Sequence, residues 1–250
     1  MVQRAIAILI FATIIFSQAW AKPPQGLVVV ERPQDYSQSY KQRRTTHGML
    51  LSVGAEQFFP SSYYSLFKDA GIGDIIGEKR ILLFSGEIGY KFNFSAGSLA
   101  LLANFASGGT NGKAANQPRN LSFVRQGLSA NFALDNITEE PILVPYVQGG
   151  AHQYLVTESG ITGDLSDSAP VAFNYRIGGM LQLDWVESFM DPTAKLQRLK
   201  SSKVENVFLD VYYAEYLAAS SALDPANPTA IAPPNLASSG EFGVGLKVEF

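Results

Sequence analysis

Covalent catalysis needs a nucleophile, a base and an orienting group within reach of one another, and the candidates in this chain are few. Histidine occurs twice, at His47 and His152, and cysteine not at all. Two distant histidines without cysteine make no metal-ligand cluster. Ser52 and Ser129 are serines that a fold could carry near a base, but no spacing selects them. The acidic stretch GDLSDS, with Asp164 and Asp167, could meet a divalent cation or lipopolysaccharide, although such a stretch is more commonly a solvated loop. No catalytic, cofactor-binding or metal-binding residue is assigned, and the expectation is a non-enzyme without a cofactor.

A different chemistry recurs along the chain. Glu56, Glu87, Lys91, Arg125, Arg176, Asp184, Asp210, Glu241, Lys247 and Glu249 each sit at the polar positions of a segment whose alternate positions are apolar. Acids and bases are mixed in both halves of this set. If the polar faces turn toward one interior, the charges must pair there, because an unpaired buried charge costs several kcal/mol. The expectation is that Arg125 and Arg176 pair with Glu87 and Glu56. A packed, salt-bridged filling is favoured over a narrow conduction path, since roughly eight strands leave a lumen just wide enough for side chains.

The elements that would carry these residues are strands. Eight strand-like segments cover 46–59, 81–94, 98–108, 121–135, 142–158, 170–186, 205–218 and 239–250. Several exceed the roughly 5–6 residues of an ordinary strand and suit the 9–11 residues that cross a bilayer at a tilt. In the second, Leu82, Phe84, Ile88, Tyr90, Phe92 and Phe94 share one face, while Ser85, Glu87, Gly89, Lys91 and Asn93 share the other. Connections alternate between short turns at 95–97 and 136–141 and longer loops at 60–80, 109–120, 159–169 and 219–238. Short turns on one side and long loops on the other suit a transmembrane barrel with its short side toward the periplasm. The loop at 60–80 is unusually apolar, with Tyr63, Tyr64, Phe67, Ile72, Ile75 and Ile76, and is expected to fold over the barrel mouth or to meet a partner.

Residues 1–21 read as a secretory signal, with Arg4, a greasy run from Ala5 to Phe16, and Ala19-Trp20-Ala21 before the cleavage point. Residues 22–45, with Pro23, Pro24 and Pro33, read as an extended periplasmic arm. The connection at 187–204 is long for its side, and Asp191-Pro192 with Leu196 and Leu199 predicts a short amphipathic periplasmic helix. Charged residues make up 16% of the chain, against roughly 25% in soluble domains, and the net charge of −3 points away from nucleic acid.

Alternation alone does not say which face is outside, because a soluble lipocalin-like barrel alternates too, with its apolar face inward. Strand length, small residues on the polar faces and aromatics near strand ends (Phe58, Phe59, Phe94, Trp185, Phe250) favour a membrane barrel with an interfacial girdle. The last strand ends on Phe250 with Val248, Leu246, Val244 and Phe242 at alternate positions before it. In this the chain resembles the small outer-membrane β-barrel proteins of Gram-negative bacteria, the OmpA, OmpX and OmpW type. The resemblance implies that the strand is an assembly signal read by the barrel-assembly machinery. It also implies outer-membrane lipid and lipopolysaccharide as surroundings. Resemblance to lipid A deacylases would call for His-x-Ser-Asn, which neither His47-Gly48-Met49 nor His152-Gln153-Tyr154 supplies. The reading is therefore an all-β protein: a single antiparallel transmembrane β-barrel of about eight strands over 46–250, monomeric. It is structural or surface-exposed, with a narrow porin-like channel as the alternative.

Overall fold

A computed structural model describes residues 39–183, 204–228 and 230–250. The chain divides into Met1–Gln34 and Asp35–Phe250, and every described residue belongs to the second unit. The signal segment, most of the arm, Asp184, Trp185 and, but for Val204, the 187–204 connection with its expected helix lie outside the described residues.

Among the described residues nine strands follow in order: β1 His47–Phe58, β2 Ile81–Phe94, β3 Gly97–Ala114, β4 Gln117–Ala133, β5 Leu143–Gly160, β6 Gly163–Ser168, β7 Ala172–Gln182, β8 Asn206–Tyr216 and β9 Ser238–Glu249. All pair antiparallel. The pairing runs β4-β3-β2-β1-β9-β8-β7-β5, and β4 also pairs with β5, so eight strands close on themselves. β6 and β7 share one side of β5 and act as a single lane broken around Pro170, a residue with no N–H to give to a ladder. The end where β1 begins and β9 finishes is called the near end below, and the opposite one the far end.

Side-chain direction follows from the two-residue period of a strand. On β2 the outward Phe84 is 64% exposed while the inward Glu87 is 7% exposed. The same division runs round the ring, with Leu51, Leu101, Leu128, Ile177, Val211 and Val244 bare on the outside. From Leu82 to Phe94 the outward apolar track rises roughly 30 Å, taking ~3.3 Å per residue and a tilt of ~40°. Water does not stabilise such a continuous apolar belt around a charged interior, whereas a bilayer core covers it at its own thickness. The fold is a closed, eight-stranded transmembrane β-barrel.

Beyond the belt β3, β4, β5 and β6 continue outward at the far end. The loops expected at 109–120 and 159–169 are therefore ladders closed by two-residue turns, at Ala115-Asn116 and Ile161-Thr162. Both Ala115 (φ 47°) and Asn116 (φ 66°) take the left-handed backbone that a right-twisted hairpin demands. β6 is exposed on both faces, and the inward positions of the other extensions carry charged or small residues such as Arg119, Glu158 and Ala114, so no apolar alternation marks them.

Two short helices matter for the site. α1, Tyr40–Arg43, is one turn at the near end, and α2, Ile72–Ile76, lies in the 59–80 loop at the far end. α2 starts at Gly71, whose N–H is accepted by Asp74 at 3.1 Å, and stops at Gly77 with φ 67°. Ile72, Ile75 and Ile76 share its inner face and are buried. The apolar loop thus folds down over the mouth as a lid.

Candidate functional site in the barrel lumen

Period-two alternation aims every second side chain of eight strands at one axis, and glycine decides where the large ones fit. Gly178 lies opposite Tyr146, and Gly243 lies opposite Tyr212. A Cβ on Gly178 would come 2.7 Å from the Tyr146 ring, and one on Gly243 would strike the ring of Tyr212. The missing side chains are the seats of the two tyrosines, which reach across the lumen as a result.

The central layer is built on Glu56. Its carboxylate accepts from Arg125, from Tyr216 Oη at 2.9 Å, from Tyr212 Oη at 3.1 Å and from Arg176 Nη2 at 3.5 Å. Arg176 Nη1 also donates to Glu87 at 2.8 Å, and Gln148 Nε2 donates to Glu87 at 3.2 Å and to Ser129 at 2.9 Å. The Arg125 guanidinium stacks 4.7 Å from the Tyr216 ring centre, and that of Arg176 lies 4.6 Å from Tyr212. Two arginines therefore face two carboxylates, so each buried charge has a counter-charge, while Arg125 Nη2 and Arg176 Nε have no hydrogen-bond partner among the described residues. Toward the near end, Lys247 Nζ lies 3.3 Å from Asp210 and 4.6 Å from the Tyr146 ring centre.

The near mouth holds a second network. Lys91 bridges Asp135, at 2.7 Å, and Glu249, while Arg44 adds an ion pair to Asp135 at 3.2 Å. Tyr40, from α1, is fully buried; its hydroxyl donates to Glu249 at 3.0 Å and accepts from Lys91 Nζ at 2.9 Å. Tyr40 and Arg44 of the expected arm are thus docked in the barrel mouth, while Lys41, Gln42 and Thr45 stay exposed. Tyr40 finds a charged pocket that only the closed barrel supplies. Burial pushes the Tyr40 phenol well above its ordinary pKa, with the charges of Glu249 and Asp135 adding to the shift, so the group stays a neutral donor.

Above the central layer the filling turns aromatic. Phe58 stacks on Tyr154 at 5.1 Å and meets Phe123 edge-on at 5.8 Å, and Tyr63 of the lid packs on Phe123 at 5.9 Å. Phe58 was expected in the outer girdle, but it is fully buried. It shares the inward face of β1 with Leu50, Ser52 and Glu56, because alternation and not nearness to a strand end sets its direction. Phe94 and Phe250 do stand on the outer wall, and Phe59 packs against the interior cluster.

The lid is pinned to one carboxylate. Glu158 accepts from Tyr63 Oη, Ser65 Oγ and the backbone N–H of Leu66, each at 2.8 Å, with Arg119 Nε 3.5 Å away. Arg119 also pairs with Asp69 and covers the Phe67 ring at 4.2 Å. Desolvation raises the pKa of Asp69, but hydrogen bonds from Ser65 and Arg119 outweigh it and leave the carboxyl below its ordinary value. Burial, followed by the charge of Glu158, raises the Tyr63 phenol.

Nine of the ten charges read from the sequence as lumenal lie in the described residues. Eight of them join in three groups: Glu56, Glu87, Arg125 and Arg176; Lys247 and Asp210; Lys91 and Glu249. Glu241 stands apart at the far rim, where it pairs with Arg80 at 2.7 Å and accepts from the N–H of Phe59 at 3.0 Å. Asp184 lies outside the described residues. Phe242, Val244, Leu246 and Phe250 are exposed on the outer wall of β9, with Val248 partly covered beside them. The two serines and two histidines are not brought together. Ser129 bonds Gln148 and Asn104, His152 bonds Asn174 at 3.3 Å, and His47 stacks on Tyr90 outside. Tyr40, Arg119, Asp135 and Glu158 were not singled out from the sequence, and Arg44 was read only as part of a basic cluster in the arm, with Lys41 and Arg43. Inward parity would have marked Arg119 on β4 and Glu158 on β5, but their segments read as loop or loop edge.

These features define a class: an eight-stranded membrane barrel with a filled, ion-paired interior and a lidded far mouth. No family model matches the chain, and no curated protein does. Among solved structures it is similar to Ail, the attachment invasion locus protein of Yersinia pestis, at 13% identity over 82% of this chain and 97% of that one, with a TM-score of 0.42. It is similar also to Neisserial surface protein A, at 13% identity over 82% and 98%, with a TM-score of 0.43. At that identity and that TM-score the matches assign no role to any residue here.

Proposed function

We propose that the protein is a non-enzymatic barrel of the bacterial outer membrane, structural or surface-exposed, whose lumen is closed to solutes. The observation that carries this reading is the filling itself. Ion pairs occupy the near and central layers, aromatic rings the next, and the lid is hydrogen-bonded over them. A conducting path needs a continuous column of water, and eight strands leave no room for one beside these side chains. The far-end extensions support exposure at the cell surface. β6 is exposed along its whole length, and a cleft of about 630 Å³ opens between it, the lid and the loop after β8, lined by Tyr64, Leu66, Lys68, Leu165, Leu223 and Ile231. Lipid and lipopolysaccharide would surround the belt, and the outward face of β9 would present the assembly signal. A monomer suffices, because the ring has no open edge within the belt.

Two measurements test the reading. Membrane fractionation with heat-modifiable gel mobility should place a folded barrel in the outer membrane, and recovery in the soluble periplasm would overturn it. Planar-bilayer recording of the wild type should show no steady conductance, and a reproducible unitary conductance would replace the closed barrel with a narrow channel.

A further inference from the structure

The near mouth contains a binding site whose occupant is part of the same chain. Its walls come from four places: Lys91 on β2, Ser98 on β3, Asp135 just after β4 and Glu249 at the end of β9. Ser98 Oγ donates to Asp135 at 2.7 Å, which orients that carboxylate toward the lumen. Into this pocket the segment Ser39–Arg44 delivers a phenol and a guanidinium.

The segment has little reason to hold its shape alone. α1 is a single turn, and one turn is short of the length at which a helix persists in water. It is held from outside instead. Ser39 Oγ donates to Glu139 at 2.7 Å, the Tyr40 N–H to Glu140 at 2.9 Å, and the Lys41 N–H to the Glu139 carbonyl at 3.1 Å. Arg44 donates to Asn93 at 2.6 Å and to the Gly97 carbonyl at 3.0 Å, beside its ion pair with Asp135. Among the described residues, the cations that pair with Asp135 and Glu249 are Lys91 and, from the segment, Arg44.

The identity of one wall residue gives the arrangement its meaning. Glu249 belongs to β9, whose pairing with β1 closes the ring, and its register partner on β1 is Leu50. Lys91 stands on β2, which pairs with β1 from the other side, at Gly48. The pocket that holds Tyr40 therefore spans the β1–β9 seam and exists only when that seam is paired. Anything that binds the closed state alone stabilises it by linkage. We propose that Ser39–Arg44 is a closing lock, a ligand supplied in cis that recognises the completed seam through Tyr40 and Arg44 and slows its opening.

The test uses the full mature chain, folded in lipid, in five forms: wild type, Tyr40→Phe, Glu249→Gln, the double variant of these two, and Glu158→Gln as a far-end control. Trypsin cleavage after Arg44 reports release of the lock, and the half-time of heat conversion on a gel at one fixed temperature reports opening of the seam. In the wild type the Arg44–Thr45 bond should resist trypsin while the barrel is folded. Tyr40→Phe removes only the hydroxyl, leaving strand pairing and ring packing intact. Loss of a buried hydrogen bond to a charged group should speed both cleavage and conversion on the order of tenfold. Glu249→Gln should do the same, because it takes away the Lys91 ion pair and leaves Tyr40 a weaker, neutral acceptor, and the double variant should fall short of the sum of the two singles, which share the Tyr40–Glu249 contact. Glu158→Gln at the far end should leave the cleavage rate after Arg44 unchanged. Cleavage and conversion rates of Tyr40→Phe within about twofold of wild type would overturn the proposal. So would faster cleavage with an unchanged conversion half-time, which would make the segment a bystander to the seam. If Glu249→Gln does not fold, Tyr40→Phe decides alone.

Discussion

Changing Glu56 to glutamine removes one charge from the centre of the lumen and almost no volume. Four groups donate to the native carboxylate: Arg125, Tyr216, Tyr212 and Arg176. After the change Arg176 keeps Glu87 at 2.8 Å, whereas Arg125 keeps only tyrosine hydroxyls and ring faces. One buried ion pair is broken and its cation left behind, which typically costs about 3–5 kcal/mol. Tyr212 and Tyr216 can still donate to the amide oxygen, so the expected loss is about 3 kcal/mol, the low end of that range. Urea unfolding in lipid vesicles, followed by far-UV circular dichroism, measures it. Arg125→Met removes the partner charge and keeps an apolar stem. The double variant should then lose less than the sum of the two singles, by about 1–3 kcal/mol. Additivity within about 0.5 kcal/mol would refute a direct Glu56–Arg125 pairing. Arg125→Ala adds a cavity to the lost charge; no change in either stability or conductance there would refute the cross-lumen network as a whole.

Gly243→Ala drives a methyl group into the ring of Tyr212, and overpacking of this kind should lower stability by about 1–3 kcal/mol. Tyr212→Leu in the same chain should recover part of that loss, as read from the urea midpoint. Glu158→Gln weakens a contact that holds the lid with three hydrogen bonds, so trypsin should cut the 59–80 loop at Lys68 faster while the barrel's own midpoint holds. The Asp69 carboxyl is held below its ordinary value in the folded lid, so its contribution is present above the unfolded pKa of roughly 3.9 and lost as pH falls through the lower folded value. Lid proteolysis by an acid-active protease should therefore rise as pH falls below about 4 in the wild type, and Asp69→Asn should flatten that rise. Ile88→Lys places a charge on the bare outer wall; at mid-belt this should cost about 2–4 kcal/mol, whereas a barrel surrounded by water would tolerate it with little change.

Local periodicity already carried much of this protein. Because a strand has a period of two, a run such as Leu82 to Phe94 states which residues share a face before anything is known of its neighbours. That was enough to group Glu87 with Lys91, to set Phe242, Val244 and Leu246 on one face of the last strand, and to count the lanes of the ring. The same rule, applied strictly, would have turned Phe58 inward beside Glu56. It failed to mark the outer ends of β3 and β4 and the whole of β6, because β6 is exposed on both faces and the inward positions of the others carry charged or small residues such as Arg119 and Ala114.

Partnership across the lumen was not legible in this way. Arg125 and Glu56 are 69 residues apart, and Tyr40 and Glu249 are 209 apart. Which of them meet depends on the stagger of eight strands and on the glycines that let Tyr146 and Tyr212 cross the lumen. The sequence determined the strands, their two faces and the mixture of charges that must find partners, since these depend on neighbours two residues away. Closure of the ring decided the rest: Glu56 as the shared acceptor of two arginines, Glu158 as the pin of the lid, and a near-end pocket for Tyr40. Those contacts join side chains from strands far apart in the chain, and no local pattern encodes their height in the barrel.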